Sequence, residues 1–359
     1  MDRPDHSTTM KHIFRSLRRR SHQFALRHAR QNRFFSSVFY AFFSRRFDRE
    51  HVGVLQGQQQ FSISNGPEGS CSTTLRRNTH RLEKGLIMRP RKDVFALAYI
   101  EETIKAYQQS VSHTNGQANE EICWAHDVLK DYFDVCGAHP LIDRLRKTFN
   151  SIPPLPLRCA PDRAKAFHPY HRNLKAPASV HYDELLKLAE RRRSTRWFKQ
   201  SPVPRELIEK AVIVAGLSPS ACNRQPFEFR FFDAPGLREK VAELPGGTKG
   251  FANQFPVIGV VLGNLAHYYD EKDRHVIYID GSLATMSLIL ALETLGLGSC
   301  CINWPDIEED EIRAQSVLNL TTYERPVMFL AIGYPDPEGM VPYSAKKSTE
   351  QLCRWNYLG

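Results

Sequence analysis

The sequence predicts an α+β fold for the C-terminal half of the chain, with a sheet flanked by helices and a mainly helical region before it. From residue 182 onward, segments of helical periodicity alternate with short segments of strand character. Val257–Gly263 is a continuous apolar run that suits a buried strand. Leu283–Leu295 is apolar nearly all round, which predicts a long buried central helix.

Length and composition indicate a globular protein of two parts. The chain has 359 residues, more than one ordinary domain, with 42% hydrophobic and 25% charged residues. No apolar run reaches the roughly 18–20 residues of a spanning helix, and we expect no secretory signal. The 8 cysteines form no CxxC pair and no Cys/His cluster, which argues against a zinc or iron–sulfur site and favours a reducing cytoplasm.

Residues 1–50 form a basic leader, the first of three predicted segments. They hold twelve Lys and Arg against four Asp and Glu, a net charge of +8, whereas the whole chain carries +10. Phenylalanines alternate with the arginine clusters. Three interpretations stay open, which are a partly disordered solvated tail, a basic amphipathic helix on an anionic membrane surface, and a nucleic-acid contact.

Residues 51–175 are predicted to be a helical region that ends in a proline-rich linker. Residues 51–70 are rich in Gln, Gly and Ser, which suggests a flexible linker. Thr79–Gly85 fits either a capped turn with surface ion pairs or a segment that reaches over the second domain's pocket. Six prolines between residues 151 and 178 mark an irregular connector. Helical periodicity predicts three helices, at Val94–Gln108, Glu120–Val135 and Pro140–Phe149.

Residues 176–359 hold the elements of the α+β fold in order. The predicted helices before the central one are Tyr182–Arg192 and Pro204–Leu217, the second with a proline suited to a first turn. The predicted strands are Phe227–Asp233, Val257–Gly263, Ser299–Ile302 and Pro326–Gly333.

The strongest chemical signal in this third segment is Arg191–Phe198, with the sequence RRRSTRWF directly after a predicted helix. Several guanidinium groups, a hydroxyl and backbone N–H groups in one short loop make an anion site, and the arginine fork suits phosphate. The alternative is a basic helix terminus that only complements the helix dipole.

Two further motifs lie downstream. Ser218–Phe227, SPSACNRQPF, places small and amide side chains where they could hydrogen-bond a flat, polar-edged ring, or it is an ordinary turn. Leu295–Asn303, LGLGSCCIN, has two glycines that let the backbone approach a ligand closely, or it is a plain helix end that leads into a strand.

In order and spacing, the three motifs together resemble the nitroreductase-like flavoprotein family over roughly Tyr182 to Lys347. The resemblance implies a homodimer with two FMN molecules at the subunit interface. It implies that Arg192, Arg193 and Ser194 hold the FMN phosphate and ribityl chain, that Arg196 lies by the pyrimidine edge, and that Lys346 or Lys347 closes on the phosphate. Ser220 and Asn223 would contact the same flavin from the partner subunit, and the backbone at Cys301, Ile302 and Asn303 would face its reactive nitrogen.

The function implied by this resemblance is electron transfer through bound FMN, from NADH or NADPH to an electron-poor small molecule such as a nitroaromatic or a quinone. The chemistry would lie on the flavin, so no catalytic side chain is assigned. The alternatives are a different flavin reaction on the same fold, such as dehydrogenation or dehalogenation, and a non-catalytic flavin-fold module that docks to a membrane-associated complex. No nucleic-acid partner is expected, since the FMN phosphate already accounts for the arginines of Arg191–Phe198. Cys300 and Cys301 are interpreted as packing groups, with a redox pair as the alternative.

Overall fold

The computed structural model describes residues 26, 29–30, 32–66, 68–113, 119–153, 167–172 and 178–358. The first twenty-five residues of the leader and most of the predicted proline-rich connector lie outside the described residues. Before the connector, the described helices are α1 (Arg33–Phe42), α2 (Asp48–Ser64), α3 (Ser72–Leu86), α4 (Ile100–His113), α5 (Glu120–Val135) and α6 (Pro140–Asn150).

Helices α3 to α6 pack around a core of their own, so the helical character predicted for this region is confirmed. The buried side chains of that core include Leu75, Ile104, Leu129, Tyr132, Ile142 and Phe149. Local signals begin the helices: the Asn119 side chain accepts a 3.0 Å hydrogen bond from the Ile122 N–H at the start of α5, and Pro140 opens α6.

The prediction of a flexible linker at residues 51–70 is wrong, because most of that segment forms α2. Its glycines allow close packing. A Cβ atom on Gly57 would lie 2.9 Å from the backbone of Leu265, and one on Gly53 would lie 3.0 Å from the Thr322 carbonyl oxygen. Arg49 adds ion pairs to Glu311 at 2.7 Å and to Asp306. Helix α2 is therefore docked on the C-terminal part of the chain.

Two other predictions in this region need correction. Thr79–Gly85 is not a capped turn, because it lies inside α3, which contacts the Ala221–Asn223 turn of the C-terminal part. The helix predicted from Val94 begins only at Ile100. The reason is local, since Ala96 has a φ of 63°, a left-handed conformation that an α-helix does not accommodate.

The C-terminal part is α+β, as predicted. Its helices are α7 (Tyr182–Arg191), α8 (Arg205–Gly216), α9 (Leu237–Ala242), α10 (Val276–Thr294), α11 (Glu308–Leu318) and α12 (Thr349–Leu352). Its strands are β1 (Phe227–Phe232), β2 (Val257–Asn264), β3 (Gly298–Asn303) and β4 (Glu324–Gly333). They form one sheet of order β1-β2-β4-β3, and each neighbouring pair is antiparallel. The four predicted strands are thus confirmed within two residues at each end.

Both faces of the sheet are covered, which explains why β2 is apolar without interruption. Side chains alternate along a strand, so Val261 and Leu330 pack with α8 and α10 on one face. Val260 and Phe329 pack with α9 and α11 on the other. The order leaves β3 at one edge of the sheet, with its second side open to the loop that follows α7.

The long central helix is confirmed as α10, and in the single chain it is buried on one side only. Its exposed residues Ile279, Leu283 and Met286 recur with helical spacing. By length and composition, the described segment Glu271–Thr294 is apolar enough to cross a membrane, with 44% of its apolar window buried. Core helices of globular proteins meet the same test, and α10 packs closely on α8 and β2.

Candidate functional site

The arginine loop predicted from the sequence runs along the open edge of the sheet. Ser194 forms a parallel bridge with Ser299 of β3, and the Thr195 N–H donates to the Ser299 carbonyl at 3.0 Å. Further on, the Lys199 N–H donates to the Tyr334 carbonyl at 2.9 Å, just beyond β4. Backbone hydrogen bonds at both ends therefore fix this loop to the sheet.

The guanidinium groups of the loop differ in whether they already have partners within the chain. Arg191 forms a 2.7 Å ion pair with Glu293 near the end of α10. Arg193 donates to the backbone carbonyl of Pro342 at 2.7 Å and to that of Tyr343. Within the described part of the chain, Arg192 and Arg196 form no ion pair, and the Arg196 guanidinium lies only 3.5 Å from the Ser194 carbonyl oxygen. Two guanidinium groups thus remain uncompensated beside β3, which makes the loop receptive to an anion.

Strand β3 presents alternate residues on opposite faces at this edge. Cys300 and Ile302 are buried in the core, whereas Cys301 and Asn303 are exposed. Burial raises the pKa of the Cys300 thiol, against the opposing effects of Arg196 and of a hydrogen bond to Ser194. The thiol is therefore neutral at neutral pH, which favours the packing interpretation of Cys300 over a redox role.

A glycine-containing loop leaves space next to β3. A Cβ atom on Gly247 would lie 3.7 Å from the Ile302 side chain, and one on Gly246 would meet nothing within 4 Å. This loop and the arginine loop both lie next to β3, and the three segments together form the candidate anion site. Lys346 and Lys347 follow the Tyr343 carbonyl that Arg193 binds, and both are exposed.

The second predicted loop has an unusual backbone. Cys222, Asn223 and Gln225 have φ values of 54°, 51° and 48°, in the left-handed region that non-glycine residues adopt at a cost. Two contacts hold it. The Ala221 N–H donates to Asp280 of α10 at 2.9 Å, and the Ser220 hydroxyl accepts from the Gln225 N–H at 3.1 Å. The surrounding structure thus fixes the positions of Ser220 and Asn223.

Behind this loop lies a buried group of basic and aromatic side chains that sequence reasoning did not select. Arg224 is 5% exposed and lies 4.8 Å from the Tyr268 ring centre. Arg76 of α3 donates to the Gln225 side chain at 3.4 Å. Burial lowers the pKa of His267 to about 4, and the positive charges of Arg224 and Arg76 act in the same direction. No periodicity or spacing signal connects these residues, because the contacts join segments far apart in the chain.

The two predicted loops of the site are anchored at different places on α10. The second loop is tied to Asp280 and the arginine loop to Glu293, near opposite ends of α10. Thirteen residues of helix separate these anchors, which is about 20 Å. Among the described residues, no group of three or more His, Cys, Asp and Glu side chains is arranged to hold a metal ion.

The chain is similar to one protein family model and to several known proteins. The Nitroreductase family model matches residues 189–249 and 237–334. Iodotyrosine deiodinase 1 of Pongo abelii is 22% identical over 286 residues, covering 69% of this chain and 92% of the relative. The human protein of the same name is 21% identical over 264 residues, covering 64% and 84%. Iodotyrosine deiodinase of Nematostella vectensis is 23% identical over 197 residues, covering 47% and 74%.

Solved structures resemble about half of the chain. An FMN-dependent nitroreductase from Clostridium difficile is 23% identical and covers 48% of this chain and 99% of its own, with a TM-score of 0.41. A nitroreductase family protein from Streptococcus pneumoniae is 20% identical with the same coverage and a TM-score of 0.42.

The family match and the fold define the C-terminal part as a flavin oxidoreductase-type fold. Residues 189–334 are nitroreductase-like, and the family model does not cover the chain before them.

Proposed function

We propose that the protein is an FMN-dependent oxidoreductase. The observation that carries the proposal is the pair of uncompensated guanidinium groups, Arg192 and Arg196, on a loop fixed to the open edge of β3. A phosphate monoester has two negative charges and suits Arg192, while Arg196 suits the negative charge of a reduced flavin ring, because no carboxylate neutralises either guanidinium. The family of residues 189–334 supports the same cofactor.

The donor set around β3 fits FMN in chemistry as well as in charge. Arg192, Arg193 and Ser194 would hold the phosphate and ribityl chain, with Lys346 or Lys347 closing from the C-terminal segment. Arg196 would lie by the pyrimidine edge, where a positive charge favours the anionic reduced form. The backbone at Cys301, Ile302 and Asn303 would face the ring. Bound FMN supplies the ability to accept a hydride and to pass two electrons to an acceptor.

We further propose that the active unit is a homodimer. The loop of Ser220 and Asn223 and the arginine loop are anchored at positions about 20 Å apart along α10, which favours a site that a second copy of the chain completes. The faces that would meet carry exposed apolar residues. They are Ile279, Leu283 and Met286 on α10, and Ile213, Val214 and Leu217 on the adjoining α8. Apolar stripes of this kind are typical of subunit interfaces.

For the reaction, we propose that NADH or NADPH reduces the enzyme and that an electron-poor small molecule, such as a nitroaromatic or a quinone, is then reduced in the same site. The role of the protein is to bind and orient the cofactor, to place Arg196 against developing negative charge and to leave the edge of β3 accessible to both reactants.

Reductive dehalogenation is the second candidate. The observation that favours it is that the relatives described above are named iodotyrosine deiodinases, and that one of them aligns over 69% of this chain. Release of halide from a halogenated phenol by the reduced protein would distinguish this reaction from nitro or quinone reduction.

The test begins with the visible absorption spectrum of the purified protein, before and after anaerobic NADPH or NADH. We expect a yellow protein that bleaches with the nucleotide and releases FMN on denaturation. Yellow protein without bleaching would keep the cofactor but refute the nucleotide as donor. A colourless protein that FMN does not reconstitute would refute the proposal and favour a non-catalytic module.

Substitutions in the arginine loop sharpen the test. Arg192→Gln and Arg196→Gln should each weaken FMN binding by about tenfold or more, since each removes a charge-assisted contact. Arg191→Gln is the matched control. It removes the same charge from the same loop, but its guanidinium is already bound to Glu293. Equal FMN affinity in all three variants would contradict the assignment of the phosphate site.

A further inference from the structure

Helix α1 presents an aromatic stripe that the folded chain leaves uncovered. Phe34, Val38 and Phe42 recur every four residues, so they lie on one side of the helix. Phe34 is 71% exposed and Phe42 is 81% exposed, and Phe43 at the end of the helix is 57% exposed. Rings of this size are seldom exposed in a row without a partner surface.

Positive charge surrounds this stripe. Arg33 at the start of α1 and Arg46 just beyond its end are exposed. The leader as a whole carries a net charge of +8, and the remaining residues together carry only +2 of the +10 total. The excess charge of the chain is thus concentrated in the segment that holds the exposed rings.

Helix α1 contacts the start of α2. The Tyr40 ring packs 4.6 Å from the Phe47 ring at the start of α2. Helix α2 is in turn docked on the C-terminal part through Gly57 and through the Arg49–Glu311 ion pair. A surface that binds α1 would therefore lie next to the helix that docks on the C-terminal part.

We propose that α1 binds the surface of an anionic lipid membrane, with its aromatic stripe at the boundary between headgroups and acyl chains and the arginines of the leader on the headgroups. Helix α1 supplies large apolar side chains on one face, and the leader that contains it supplies the excess of arginines, which are the two properties that interfacial binding needs. Nucleic acid fits less well. It would need basic residues interleaved with the exposed rings, whereas within α1 only Arg33 is basic and Phe34, Val38 and Phe42 form an apolar row.

The experiment is co-sedimentation of the full chain with vesicles, and it is independent of flavin binding. The vesicles consist of phosphatidylcholine alone or of phosphatidylcholine with about a third phosphatidylserine. We expect binding to the anionic vesicles, weaker binding to the neutral ones, and loss of binding at high salt. The double substitution Phe34→Ser with Phe42→Ser should lower the partition coefficient on anionic vesicles by at least about tenfold.

The matched control is Ile87→Ser with Met88→Ser. Both residues are 60% exposed and belong to no surface assigned here, so this variant should bind as the parent does. Circular dichroism and the mass in solution check that the variants fold and keep their oligomeric state. Absence of parental binding to anionic vesicles would overturn the proposal, and so would equal binding of parent and Phe variant. A fall in mass of the Phe variant would also overturn it, because the stripe would then be a contact between copies.

Discussion

Acidification should destabilise the fold through His267, which lies partly buried behind the second loop. Its pKa is lowered from 6.5 to about 4, first by burial and then by the charges of Arg224 and Arg76, while a hydrogen bond to the backbone of Arg224 opposes the shift. Between pH values of about 4 and 6.5, His267 is therefore neutral in the folded protein and protonated in the unfolded chain. Stability from this residue is complete above a pH of about 6.5 and is lost as the pH falls towards about 4.

The size of the effect follows from the shift. A difference of about 2.5 pKa units corresponds to about 3 kcal/mol. That is a large share of the roughly 5–15 kcal/mol that stabilises a typical domain. Because carboxylates titrate in the same range, the informative quantity is the difference in pH dependence between the parent and His267→Gln, whose amide remains neutral.

The assay is urea unfolding of both proteins at a series of pH values between about 4 and 7. The parent should lose about 3 kcal/mol more than His267→Gln over this range. His171→Gln, at an exposed position, controls for the loss of one imidazole and should follow the parent. Identical pH profiles for the parent and His267→Gln would refute the reasoning, as would an NMR titration of the His267 imidazole near its ordinary pKa.

Three further predictions follow from the packing and the site. Gly57→Ala should destabilise the protein by about 1–3 kcal/mol in urea unfolding, because its Cβ would lie 2.9 Å from neighbouring backbone, whereas Gly216→Ala, with nothing within 4 Å, should leave stability unchanged or slightly raised. Asp280→Ala should cost about 1–3 kcal/mol by leaving the Ala221 N–H without its acceptor, and FMN titration should show weaker binding; unchanged affinity would separate this loop from the cofactor. Cys301→Ser should retain turnover with NADPH, and its loss would revive the redox interpretation of the cysteine pair.

Regular elements of the C-terminal part were predictable because their signals are local. Strand β2 is an uninterrupted apolar run, and α10 is apolar nearly all round, so composition alone located both. The arginine loop was also predictable, since its functional groups are adjacent in the sequence. Its attachment to β3 was not, because Ser299 is more than a hundred residues away from Ser194.

The errors arose where a residue serves a distant contact. Gly53 and Gly57 looked like linker residues, but their missing side chains let α2 approach Leu265 and Thr322. The left-handed backbone of Ala96 moves the start of α4 to Ile100, and the spacing of apolar residues does not reveal such a conformation. The sequence also did not predict that one face of α10 is exposed in the single chain. A helix that is apolar on all sides can be covered by its own chain or by another, and its sequence is the same in both cases.

The contact between α3 and the Ala221–Asn223 turn also bears on where this protein can be cut. The stretch that matches the family model starts at residue 189, but that turn contacts α3, and Arg76 of α3 donates to the side chain of the nearby Gln225 from more than a hundred positions earlier. A fragment trimmed to the matching stretch would lose this support and uncover the backbone of Leu265 beneath α2. The start of the family match and the start of the cooperative folding unit are therefore different positions in the chain. Expression of the nitroreductase-like part should begin upstream of α2.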